Sequence, residues 1–160
     1  MSHDELEALE QIRRSHRGPT LDAVLDALAL VPRGEGIYSA PSIAIGTGRI
    51  FGGQVLGQVL VAAAAALPTK QVKSVYVQVA RDGVAPDPVE IEVAVLHDGG
   101  TYATCDVRVR QEGRVLADAT ASLHVPGEGP EQQSAVLLDR DPEGATPMDL
   151  AMIPSETRVV

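Results

Sequence analysis

The chain has 160 residues, enough for one domain with appended ends. A hydrophobic share of 44% permits a sizeable core, but with one Phe, three Tyr and no Trp that core has to come from Val, Leu, Ile and Ala. The net charge is −9 and unevenly spread: residues 1–126 carry 15 acidic and 11 basic side chains, residues 127–160 seven and two. Such an acidic balance argues against nucleic acid and anionic membrane as partners. The single cysteine, Cys105, excludes an internal disulfide and suits a reducing cytoplasm. The opening MSHDELEALE is too acidic for a signal peptide. The longest apolar run, Val59 to Leu67, is far short of a membrane span. A soluble, cytoplasmic protein is expected.

Residues 4–17 read as a charged, partly amphipathic helix within an N-terminal extension, 1–19. Residues 20–30 make a better helix: Thr20 can cap it, Leu21, Val24, Leu25 and Leu28 recur at helical spacing, and Pro32 and Gly34 end it. Gly36 to Ile45 reads as a first strand, with Pro41 making it an edge or kinked strand. Over 53–67 apolar residues lie on nearly every side and Ala dominates the end, until Pro68 stops the pattern. A helix apolar all round is a buried one, so the expectation is a central, enclosed helix opening at Gly52–Gly53.

After Pro68 the period changes to two. Val75, Val77 and Val79 alternate with Ser74, Tyr76 and Gln78. Val89, Ile91, Val93 and Val95 share one face, with Glu90 and Glu92 on the other. Cys105, Val107 and Val109 alternate with Asp106, Arg108 and Arg110, and Ala117, Ala119, Ala121, Leu123 and Val125 form a last inner face. Hairpin signals fall between these segments, at His97-Asp98-Gly99-Gly100 and at Glu112-Gly113. A strand, a buried helix and four antiparallel strands make an α+β domain over 20–126, a curved antiparallel sheet wrapped around one long central helix. The sheet's outer face or an edge strand is expected to pair with a second copy or domain. Residues 127–160 form an acidic linker or tail.

The chemistry concentrates at the helix start. Free amides at a helix N-terminus carry partial positive charge and can hold a carbonyl oxygen as it becomes negative. Gly52 and Gly53 would let a substrate approach that backbone; the plainer reading is that they only let the chain turn into the helix. Gln54 can bond a carbonyl or a water, or cap its own turn. A nucleotide fingerprint starting at Gly46 fails at Phe51. Asp98, Asp106 and Asp118 are candidate bases, more simply read as turn and surface residues. Lys73, Arg81, Arg108, Arg110 and Arg114 could meet phosphates, or be solvated. His97 and His124 show no metal-ligand spacing, and Cys105 reads as a small core residue.

The stretch Arg49-Ile-Phe-Gly-Gly-Gln-Val-Leu-Gly-Gln closely resembles the central-helix entrance of the bacterial acyl-CoA thioesterase II family. The resemblance extends to Leu25–Gly36, to Lys73-Ser74 through Arg81-Asp82-Gly83, to His97–Tyr102, to Thr120–Leu123, and to Ile153–Thr157, which is similar to the linker into a second domain. It implies a hotdog fold, the N-terminal half of a double-hotdog enzyme that hydrolyses acyl-CoA to fatty acid and CoA. It implies Gly53 and Gln54 as catalytic positions and Phe51, Gly52, Lys73, Tyr76 and Arg81 as substrate-binding ones, with the apolar helix and inner strand faces as an acyl slot. The family's catalytic Asp, Thr and Gln lie in the second domain, so none is carried over here. Lys73 and Tyr76 stand where the family has His, and Asp82-Gly83-Val84 replaces its Pro-Gly-Asp. The expected partners are acyl-CoA and a second hotdog domain or a second copy, with no metal or other cofactor. A non-catalytic acyl-CoA-binding or dimerisation module is the alternative, and a hydratase of the same fold ranks third, because no His lies near 49–58.

Overall fold

The computed structural model describes residues 20–44, 48–130, 132, 134, 142–148 and 157–159. The helix expected over 4–17 lies outside them. Residues Leu21–Gly127 form one compact unit. A short helix α1 (Leu21–Ala27) leads into strands β1 (Val31–Gly34) and β2 (Ile37–Ala40). The long helix α2 (Gly52–Ala66) follows, and then β3 (Gln71–Val79), β4 (Val89–Asp98), β5 (Tyr102–Gln111) and β6 (Arg114–His124). The six strands form one antiparallel sheet in the order β1-β2-β4-β5-β6-β3. Helix α2 packs on β3, β4, β5 and β6. The sheet around one helix is thus as the sequence implies.

The alternation does its work on the inner face. Val89, Ile91 and Val93 of β4, Ala103, Cys105, Val107 and Val109 of β5, and Ala117, Ala119, Ala121 and Leu123 of β6 are all buried. Their small, β-branched or unbranched side chains bring the sheet close to Val55, Val59, Ala62 and Ala63 of α2, the last three fully enclosed. The β5–β6 connection is the two-residue turn flagged at Glu112-Gly113. Both residues have positive φ, 50° and 74°, the backbone twist that matches flanking strands.

Three expectations are corrected. Val31–Gly34 does not merely end a helix: it pairs with β2 as the edge of the sheet, where Pro32's missing N–H is tolerated. The strand expected over 36–45 stops at Ala40 and lies between β1 and β4, so it is no edge. Its following residue, Pro41, turns its carbonyl toward α2 instead. Third, α2 is not enclosed all round. The sheet covers one face, while Leu56 and Val61 away from the centre of that face stay 39% and 36% exposed. Composition alone could not show this, because both faces are apolar.

Polar groups set the register of the helix. Gln58 is completely buried, and its Nε2 donates to Ala27 O at 2.7 Å and Pro41 O at 2.8 Å. The first bond satisfies a carbonyl that the end of α1 leaves without an intrahelical partner. One turn earlier, Gln54 Nε2 also donates to Pro41 O, at 3.2 Å, and its Oε1 accepts from Ile43 N at 3.0 Å. At the other end of α2, the nearly buried Lys70 ammonium is paired with Asp98, the half-exposed last residue of β4. The described residues beyond Gly127 include a single 3-10 turn, Pro142–Gly144, and two short antiparallel strands, β7 (Thr146–Met148) and β8 (Thr157–Val159), which the linker reading did not foresee.

Replacing Gln58 by Leu leaves the Ala27 carbonyl without its donor, while Pro41 O keeps the longer bond from Gln54. Urea unfolding should show a loss of roughly 1–3 kcal/mol, the cost of one unsatisfied group, less what the removal of its own unpartnered Oε1 returns. Burial, and after it the Asp106 charge, raises the Cys105 thiol above its ordinary value of 9.0. The stability tied to the neutral thiol is present below pH 9 and lost as pH rises toward the folded value. Denaturation midpoints of the wild type should therefore fall more steeply above pH 9 than those of Cys105→Ala.

Candidate functional site

Helix α2 opens without a side-chain cap. Phe51 occupies the N-cap position with extended backbone, φ −69° and ψ 130°, and its side chain makes no capping bond. Its carbonyl takes the amides of Gln54 and Val55, at 3.0 and 3.3 Å, and among the described residues nothing accepts from the amides of Gly52 and Gly53. No acidic residue lies in the first turn. The partial positive charge of the helix end is therefore left facing outward.

The lead-in is held by the loop that follows β3. Ile50 N donates to Gly83 O at 2.9 Å and Ala85 N to Gly48 O at 3.1 Å. That loop is braced in turn by Gln111, the last residue of β5. Its amide accepts from Val84 N at 2.7 Å and donates to Val84 O and Asp87 O at 2.8 and 2.9 Å. Ser42 adds a bond to Asp87 O at 2.8 Å. Neither Gln111 nor Ser42 stands out in the sequence, where each is one more polar residue at a strand end.

Between lead-in, helix and loop lies a cavity of about 70 Å³. Ile50, Val55, Val79 and Leu116 give it apolar walls, and the backbones of Gly52 and Gly83 complete it. Arg81 and Asp82 also line it. Asp82 is ion-paired with Arg49, both side chains roughly two-thirds exposed, whereas Arg81 has no carboxylate partner among the described residues. The arrangement can offer amide donors to an oxyanion, an apolar recess to a small group and a cation to an anionic one. It offers no unengaged carboxylate.

The predicted residues divide. Gly52 and Arg81 meet at this cavity. Phe51 and Gly53 adjoin it, but a Cβ on Gly53 would fall 2.5 Å from the Phe51 ring, so the space that Gly53 leaves is filled by its neighbour; beside Gly52 there is nothing within 4 Å. Gln54 is directed at Pro41 and Ile43, not at its own turn, and both ends of its amide are engaged. Lys73 and Tyr76 are elsewhere. Lys73 is the extra residue of a bulge in β3, six residues before Val79, hence about 20 Å away at ~3.3 Å per residue. There its ammonium lies over the Tyr102 ring, 5.9 Å from the centroid. Tyr76 stands on the outer face of the sheet, 69% exposed, beside Asp106, Arg108 and Asp118.

The other candidates take the plainer reading. Asp98 pairs with Lys70 at the far end of β4, Asp106 accepts from Thr120 Oγ1, and Asp118 pairs with Arg108 on the outer face. Among the described residues no group of three or more His, Cys, Asp or Glu side chains is placed to hold a metal ion. No described helix is long and apolar enough to cross a membrane. The acyl slot expected between α2 and the inner strand faces is filled by the fully buried Val59, Ala62 and Ala63 packed on the strands.

The profile of the acyl-CoA thioesterase N-terminal domain matches residues 40–124. Acyl-CoA thioesterase 2 of Haemophilus influenzae is 29% identical over 111 residues, 69% of this chain and 39% of that protein. Among solved structures, the tesB protein of Mycobacterium avium subsp. paratuberculosis superposes with a TM-score of 0.73 at 27% identity, covering 79% of this chain and 50% of that one. The acyl-CoA thioesterase II TesB2 of Mycobacterium marinum gives 0.68 at 31% identity, with 77% and 47% covered. The chain thus spans about half the length, or less, of these relatives. With its helix-on-sheet architecture and a profile match over more than half its residues, it belongs to the acyl-CoA thioesterase N-terminal domain family and has the hotdog fold.

Proposed function

We propose that this chain supplies one half of an acyl-CoA thioesterase. The observation that carries the reading is the uncapped start of α2 at Gly52, bordering an apolar cavity with Arg81 beside it. The amides of Gly52 and Gly53 hold the thioester oxygen as water attacks and negative charge develops. The apolar walls receive the acyl group, the Phe51 ring flanks it, and Arg81 meets phosphates of CoA. Gln54 positions the entrance through Pro41 and Ile43 without touching substrate. The base that activates water comes from a partner domain, because Asp82, the carboxylate at the cavity, is held by Arg49.

The partner is a second hotdog domain or a second copy, and β3 is where it docks. β3 is a nine-residue strand at the end of the sheet, paired only with β6 among the described residues. Val79 on it and Leu56 and Val61 on α2 leave apolar surface exposed. The buried free thiol of Cys105 fits a cytoplasmic setting. The engagement of Asp82 also favours a second reading, an acyl-CoA-binding module without turnover.

Thiol release from acyl-CoA separates the two. The 160-residue chain alone should bind acyl-CoA saturably and release no thiol above the uncatalysed rate, and joined to a second hotdog domain it should turn over. Release by the chain alone would remove the half-site idea; no turnover when joined would favour the module. Gly52→Pro deletes one amide donor while suiting the first helical position and the extended Phe51 before it. In the joined form it should lower kcat by roughly 10²–10³ with helix content unchanged by circular dichroism. Sedimentation should show the chain alone as a dimer at micromolar concentration, and a monomer throughout would count against pairing through β3.

A further inference from the structure

The first turn of α2 has little to hold it from within. Two glycines, the poorest helix formers after proline, fill its first two positions, and no side chain caps it. Its place therefore depends on the chain that leads into it, and that chain is pinned from outside. Residues 83–85 run antiparallel to the lead-in, bridged at Arg49 and Val84. Gly83 O and Ala85 N bond the lead-in, at Ile50 N and Gly48 O. Val84 between them offers its own N–H and carbonyl to the other side, as alternate residues of an extended chain do. Both are taken there by the side chain of Gln111, which acts as a neighbouring strand would.

Gln111 is suited to that task. It is 8% exposed, and its third bond, to Asp87 O, engages the second donor of its amide. Its backbone ends β5 opposite Arg114, across the tight turn at Glu112-Gly113, so the amide rests on a fixed support. The Val84 side chain is 58% exposed, so backbone bonds and not packing hold that residue. The start of the same loop is tied separately, because Ala80 N and Arg81 N both donate to Leu116 O. Loss of the Gln111 amide thus loosens residues 83–87 and the helix start, while Arg81 stays anchored. We infer that Gln111 is a positioning residue: it holds the Gly52 and Gly53 amides at the entrance without touching substrate, and so governs turnover and not binding. This rests on the functional reading above and adds the residue that fixes the oxyanion donors.

The test has two readouts. Gln111→Met keeps much of the side chain's length and removes all three bonds. In the 160-residue chain, amide hydrogen exchange followed by NMR should quicken roughly tenfold at Ile50, Gln54, Val55 and Ala85, while Ala80, Arg81 and the middle of α2 keep wild-type rates. Joined to a second hotdog domain, the variant should lose kcat by roughly tenfold to a hundredfold, with KM for acyl-CoA within about twofold of wild type. Gln111→Glu is the conservative variant and keeps the test available if Gln111→Met fails to fold. Its neutral carboxyl can accept from Val84 N and donate to one carbonyl, whereas its ionised form faces two carbonyl oxygens with no donor. Its kcat relative to wild type should therefore fall as pH rises through the titration of that carboxyl, which a side chain that only fills space would not show. Exchange that quickens evenly over the domain, a Gln111→Met kcat equal to wild type, or a pH-independent ratio for Gln111→Glu overturns the assignment and leaves the thioesterase reading standing. A wild-type joined form without turnover overturns both.

Discussion

Helix α2 has no charged residue in fifteen, and the domain is organised by how that helix is held. Apolar contact alone would let such a helix slide or roll on a sheet of Val and Ala. Two glutamines one turn apart prevent it. Gln54 and Gln58 both donate to the carbonyl of Pro41, and Gln58 also reaches α1 at Ala27. Buried amides are costly unless bonded, so the helix has one rotation and one height at which these groups are satisfied. That height puts Gly52 at the rim of the sheet, beside the loop that Gln111 fixes. The exposed amides are therefore set by a polar knot in the first two turns of the same helix.

The same rim collects the other elements of the site through topology. β3 ends there with Val79, β4 begins there with Val89, and the β5–β6 turn brings Leu116 next to Gly83. The opposite end of the sheet gathers Lys70 with Asp98 and Lys73 with Tyr102 and His124. Charged groups at that end are thus held a strand's length from the helix start and serve packing and surface roles.

Much of this was legible in the sequence, and the reasons for the rest are specific. Period-two patterning located β3 to β6, and Glu112-Gly113 identified its turn because few backbones accept two successive positive φ values. Gly52–Gly53 marked the helix start. β1 was missed because four residues, Val-Pro-Arg-Gly, carry no period and read as a helix ending. The exposed flank of α2 was missed because apolarity on all sides does not say which side is covered. Gln54 was assigned a direct role because its partners, 11 and 13 residues back in the chain, leave no local signal. Tyr76 is instructive: alternation with valines put it on the outer face, resemblance put it with substrate, and the structure follows the alternation.

The bulge at Lys73 bears on how the protein behaves when concentrated. A long bare strand at a sheet margin is a template on which further strands can stack without end. An inserted residue interrupts the β3 ladder between Val72 and Ser74 and sets a lysine there. Any newcomer has to match an offset backbone and meet a positive charge, so indefinite fibre-like growth is hindered while pairing along the straight stretch from Ser74 to Val79 stays open. The irregularity confines edge association to one finite, matched contact.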